Sequence, residues 1–251
     1  MQKGKPQKVF IYGKHALAEV LTHVPTAVRK VHLASSFDDE RIRALIRDSG
    51  VPISALKEGA LREVESGASH QGVVAEISLE GLVRSYDSFA TGLKPNPDTL
   101  LVILDELTDP HNVGAIIRSA AAFGAAGVLI PPHNQASITG AVVKVSAGMA
   151  FRVPLVQIGN VNQTVRDLKE RGFWIYGLAG GGAQPILGET FTVPTVLIIG
   201  NEASGIRQKT RELCDVLLSI PIAPRCESLN AASAASVALY AWSAKHPAAL
   251  A

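Results

Sequence analysis

Six short apolar runs divide this chain from Leu100 onward. They are Leu100–Leu104, Gly127–Ile130, Val153–Gln157, Phe173–Leu178, Val196–Ile199 and Val216–Ile220. Each is apolar at consecutive positions, as a strand buried on both faces must be. Between them lie stretches with helical spacing: Val113–Phe123, Ile138–Ala147, Val161–Arg171, Gln208–Cys214 and Leu229–Lys245. Strands alternating with helices in this way predict an α/β fold, a mostly parallel sheet with helices on both faces.

The first segment, residues 1–82, reads as a smaller α/β unit. Helices are expected at Ala16–Thr22 and Phe37–Asp48, and Gly50 stops the second. Strands are expected at Lys30–Ala34, Val51–Ile53 and Val73–Ile77. Residues 83–98 carry Ser85, Ser88, Gly92, Pro95, Asn96 and Pro97 and read as a loop or linker. The second unit then spans 99–251.

Of the 251 residues, 47% are hydrophobic and 18% charged, so the chain can build a core. The net charge of +2 permits a nucleic-acid partner without demanding one. Basic residues gather early, at Lys3, Lys5, Lys8, Lys14, Arg29 and Lys30. The two cysteines, Cys214 and Cys226, form no metal-binding spacing, so no metal site is expected. No apolar run approaches the ~20 residues that cross a bilayer. A cytoplasmic protein with no membrane partner is the expectation.

An open parallel sheet binds its ligand beyond the carboxyl ends of its strands. Three segments put polar groups or glycines there. The first is Asp109-Pro110-His111-Asn112-Val113-Gly114, with Arg118 following. Asn112 can cap the coming helix, and Arg118 can reach a phosphate. The second is Ile199-Gly200-Asn201-Glu202-Ala203-Ser204-Gly205, where Gly200 can let a flat ligand lie on the backbone. The third is Ile220-Pro221-Ile222, then Glu227-Ser228-Leu229-Asn230, with Ser228 placed to cap the last helix. Each also has a plain structural reading: a capped helix with a surface arginine, a glycine-rich turn, and a capped alanine-rich helix. Taken singly, the residues leave both readings open. Gly177 and Gly180-Gly181-Gly182 open no helix of the right spacing, and Pro185 interrupts, so nicotinamide binding is not expected. A Gly-x-Ser-x-Gly hydrolase elbow is also missing from the sequence.

Together and in this order, the three segments resemble the SpoU (TrmH) family of RNA ribose methyltransferases, in the SPOUT superfamily. The likeness covers Leu100 to Lys245. Ile11-Tyr12-Gly13-Lys14-His15-Ala16 and His70-Gln71-Gly72-Val73 resemble that family's RNA-binding domain. The resemblance implies a deep trefoil knot and S-adenosylmethionine as methyl donor, with Gly200, Asn201, Ile220 and Leu229 holding it. It implies catalytic roles for Asn112, Arg118, Glu202, Ser228 and Asn230. The substrate implied is a ribose 2′-hydroxyl, with the best likeness to members acting on a guanosine of 23S ribosomal RNA or a ribosome assembly intermediate. Transfer RNA, or an inactive RNA-binding role, are the alternatives. A homodimer is also implied. Pro224 stands where relatives usually carry glycine and Ile222 where they often carry methionine, so the loop over the cofactor is expected to differ in shape.

Overall fold

The computed structural model describes residues 8–57, 69–180 and 184–250. Lys3, Lys5, Gly181 and Gly182 lie outside them. The described strands form two sheets.

The first sheet holds β1 (Lys8–Tyr12), β2 (Val28–Leu33), β3 (Ile53–Ala55) and β4 (Val73–Ser78), in the order β1-β4-β2-β3. β4 is antiparallel to β1 and β2, and β3 is parallel to β2. Helices Lys14–His23 and Glu40–Ser49 pack on it. The second starts at Asp39, whose side chain accepts from Ile42 N–H, and ends at Gly50 with φ 66°. Ile42 and Ile46, four apart, are its buried positions.

The second sheet holds β5 (Val83–Ser85), β6 (Leu100–Asp105), β7 (Gly127–Ile130), β8 (Leu155–Gln157), β9 (Trp174–Leu178), β10 (Gln184–Pro185), β11 (Thr195–Gly200) and β12 (Val216–Ser219). Its order is β10-β12-β9-β11-β6-β7-β8-β5, and every neighbouring pair is parallel. β6 shows why its sequence is apolar throughout. Leu100, Val102 and Leu104 join the core on one face, and Leu101 and Ile103 the core on the other. Helices Pro110–Ala122, Gly140–Val145 and Ala231–Ser243 contribute to the first face, and Val161–Glu170 to the second. After β9 the chain runs to the sheet edge as β10. It returns between β9 and β6 as β11, then crosses to β12 on the far side of β9.

Residues 93–98 are irregular as expected, but 83–92 are not a loop. They supply β5, at the edge of the second sheet, and a helix, Tyr86–Gly92. Ser85 caps that helix by accepting from Ser88 N–H. Tyr86, Phe89 and Leu93, at helical spacing, pack on the second core. The first unit packs directly against the second. Its core is continuous with that of the second, and Arg152 Nε donates to Glu19 across the junction at 2.7 Å.

Two helix starts also differ from expectation. Asp109, not Asn112, caps the Pro110–Ala122 helix by accepting from His111 N–H, and Pro110 takes its first position. Asn230, not Ser228, caps the last helix, accepting from Ala232 and Ser233 N–H groups. In both cases the cap sits one place before the first helical residue, which frees Asn112 for another role.

Candidate functional site

Strands β6 and β11 run side by side, so the loops that leave their carboxyl ends meet. In register, Gly200 faces Asp105. The helix after β12 brings the third loop to the same place. The polar residues of the three segments join there in one line. Asn112 Nδ2 donates to Glu202 Oε1 at 2.9 Å. Asn230 Nδ2 donates to Asn112 Oδ1 at 2.8 Å. Asn230 Oδ1 accepts the capping N–H groups at 2.9 and 3.2 Å. The orientation of both amides follows from these partners, since Oδ1 can only accept and Nδ2 only donate. Asn112 is buried, so its amide is fixed by packing as well as by hydrogen bonds.

Asn201 shapes the turn that carries Glu202. Its Oδ1 accepts from Ala203 and Ser204 N–H groups at 2.9 and 3.1 Å. Its Nδ2 donates to Glu106 carbonyl O at 2.7 Å and to Glu202 Oε2 at 3.3 Å. The turn closes with paired bonds between the Asn201 and Gly205 backbones. Gly200 is required here by the turn itself. A Cβ on it would collide with the backbone of Gly205 and Ile206, so its glycine serves closure of the turn.

Beside this line lies a cleft of about 270 Å³. Gly200, Asn201, Ile220 and Leu229, the four residues expected to hold a cofactor, all line it, with Leu178 and Leu218 adding apolar wall. Glu202 and Glu227 give it carboxylates. Ser228 also lines it, from an exposed loop.

Arg118 does not join the line. It is exposed and makes no hydrogen bond or ion pair to the described residues. The cause is helix geometry: six residues at about 100° each leave it about 120° round the helix from Asn112. Asp105, Glu106 and Arg207, which meet at the base of the Asn201–Gly205 turn, were not anticipated as site residues. The signal available was a carboxylate closing an otherwise apolar strand.

A family model described as the SpoU rRNA Methylase family matches residues 99–240. A second, RNA 2'-O ribose methyltransferase substrate binding, matches residues 10–80. The chain is 37% identical over 233 residues to the 23S rRNA (guanosine-2'-O-)-methyltransferase RlmB of Photobacterium profundum, covering 92% of this chain and 95% of that one. Against RlmB of Haemophilus influenzae the identity is 36% over 235 residues, with the same coverage. Among solved structures, the SpoU methyltransferase AviRb of Streptomyces viridochromogenes, in complex with the cofactor AdoMet, superposes with a TM-score of 0.81. The identity there is 28%, over 96% of this chain and 91% of that one.

Proposed function

The chain belongs to the SpoU rRNA methylase family, and from that premise we propose that it methylates the 2′-oxygen of a guanosine in 23S ribosomal RNA, using S-adenosylmethionine. The observation that carries the site assignment is the hydrogen-bonded line Glu202–Asn112–Asn230 beside the cleft.

The cleft suits the cofactor. Its aliphatic wall fits an adenine ring, and backbone groups along 199–201 and 218–220 can read the ring edge. The carboxylates of Glu202 and Glu227 balance the cofactor's positive charges. S-adenosylmethionine supplies a methyl on a sulfonium, whose departure as a neutral thioether needs no metal.

In this reading Glu202 fixes Asn112, and Asn112 fixes Asn230, so the three present one preorganised polar edge to the ribose. Ser228 closes the ribose pocket from the loop before the last helix. Arg118 contributes a guanidinium, with five N–H donors and no acceptor. It serves as a cation that pins an RNA phosphate and stabilises charge developing on the 2′-oxygen. The protein acts as a homodimer. Ser233, Val237 and Tyr240 form an exposed stripe on the last helix, with Tyr240 62% exposed. That helix packs on the one carrying Arg118, through Ser119 Oγ and Ser236 Oγ at 2.8 Å. A second copy seated on this face receives Arg118 into its own cleft. The trefoil knot is part of the same reading, supported by the crossing of β11 and β12 on either side of β9. The unit at 10–80 binds the RNA, and the working compartment is the cytoplasm.

The test is methyl transfer to unmodified 23S ribosomal RNA, mapped by nucleotide. One 2′-O-methylguanosine is expected; its absence overturns the reading. Asn112→Ala and Glu202→Gln should each lower turnover by roughly 10²–10³-fold. Arg118→Ala should abolish transfer and leave cofactor affinity intact. Co-expressed Arg118→Ala and Asn112→Ala chains should regain activity, because a mixed dimer holds one complete site. Failure to regain it removes Arg118 from the partner's cleft.

A further inference from the structure

Asp105 ends β6 as a carboxylate fully shielded from solvent. A buried carboxylate is costly unless it meets a cation and several donors. Arg207 supplies all of them. Its Nε donates to Asp105 Oδ1 at 2.8 Å, and Nη2 lies 2.6 Å from the same oxygen. Its backbone N–H donates to Oδ2 at 3.2 Å. Its Nη1 lies 3.2 Å from Glu106 Oε1. Glu106 holds a left-handed backbone, with φ 63°. Its carbonyl O accepts from Asn201 Nδ2, and its side chain accepts from Asn134 Nδ2 at 3.0 Å.

The Asn201–Gly205 turn is thus tied down on both sides to one dipeptide, Asp105-Glu106. Asn201 holds the near side and Arg207 the far side. Glu202 rides between them. Neither Asp105 nor Arg207 lines the cleft, so neither reaches a ligand there.

We propose that Asp105 and Arg207 are positioning residues that clamp the turn so that Glu202 meets Asn112. This rests on the methyl-transfer reading for its catalytic consequence, but not for the clamp itself. The guanidinium fork is essential to it. Lysine offers one point charge and cannot hold Asp105 and Glu106 together. The half-exposed guanidinium has one competing use, a direct contact with RNA phosphate.

The experiment uses the full chain with Arg207→Lys. Amide exchange at Asn201 and Gly205, whose N–H groups pair with each other's carbonyls, should speed up. Turnover at saturating RNA and cofactor should fall about a hundredfold, as a misplacement near 1 Å can cost. RNA affinity should stay within about twofold, since no phosphate contact is lost. In a Glu202→Ala background the same substitution should add little further loss, because residues acting as a unit are not additive. Asp105→Asn, which keeps the shape and removes the charge, should give the same pattern and carries the test if Arg207→Lys does not fold. Unchanged amide exchange, full additivity with Glu202→Ala, or a loss confined to RNA affinity would each overturn the clamp. If the wild-type chain transfers no methyl while Arg207→Lys still frees the two amides, the clamp stands and the methyl-transfer reading fails.

Discussion

The carboxyl edge of the large sheet and the seam beneath the N-terminal unit use the same residue types for opposite ends. At the edge, Asn112, Glu202 and Asn230 bond to one another beside an open cleft. At the seam, Glu19 is shielded by packing and bonded by Arg152 through Nε and Nη2, at 2.7 and 3.1 Å. Gly140 there lies directly under β1, and Gly148, at φ 79°, lies against the Glu19 side chain. Glu202, exposed beside the cleft, can be replaced with little loss of packing, whereas Glu19 and Arg152 secure one unit against another. Changes at the edge should therefore cost turnover, and changes at the seam should cost stability.

The strongest way to break this contrast is Gly140→Ala. The added Cβ would collide with the carbonyl oxygen of Phe10, which belongs to β1 and cannot swing away like a side chain. Overpacking of this kind costs about 1–3 kcal/mol. Thermal unfolding should report that loss, and S-adenosylmethionine affinity should be unchanged, because the cleft lies on other elements. A loss of cofactor affinity without a loss of stability would erase the distinction between the two regions.

How legible each region is in sequence follows from the range of its contacts. β6 and β7 were plain because every residue in them is buried, so local composition suffices. β5 was not. Val83-Arg84-Ser85 pairs with a single neighbour and keeps two exposed residues, which leaves no apolar signature. The three polar motifs could be picked out, and their convergence on one place was expected from strand ends. The bonds themselves could not be read. Asn112 and Glu202 are 90 residues apart, and they touch only because β11 inserts next to β6. Arg118 was singled out by its motif, but its direction, away from Asn112, is set by helical rotation. Glu19 with Arg152 and Asp105 with Arg207 carried no local mark beyond a charge in apolar surroundings.

A smaller effect separates the regions by pH. Arg152 beside Glu19 holds that carboxyl below its usual range, chiefly through the hydrogen bond and in spite of burial. A carboxyl whose pKa is depressed on folding adds stability above its unfolded pKa, and the gain is lost as pH falls through the folded value. Arg152→Met should remove about 1 kcal/mol near neutral pH, discounted because the arginine is half exposed. Below the folded pKa of Glu19 wild type and variant should converge. A constant gap across the acid range would show that Arg152 acts through packing alone.

The mildest perturbation sharpens the contrast inside the catalytic unit itself. Cys214 packs against Gly177 of β9, in the scaffold behind the cleft, and burial pushes its thiol up to about 12. Cys226 is exposed in the loop that leads to Glu227, Ser228 and Leu229 of the cleft wall. Cys226, exposed on its loop, should be modified quickly, and the part-buried Cys214, whose thiolate burial disfavours, slowly. Saturating S-adenosylmethionine should slow Cys226 if the loop settles over the bound cofactor, and should leave Cys214 unaffected. Thiol titration of the native chain distinguishes the two, since a single fast thiol marks the loop and two equal rates would mean that the scaffold behind the cleft is as open as its wall.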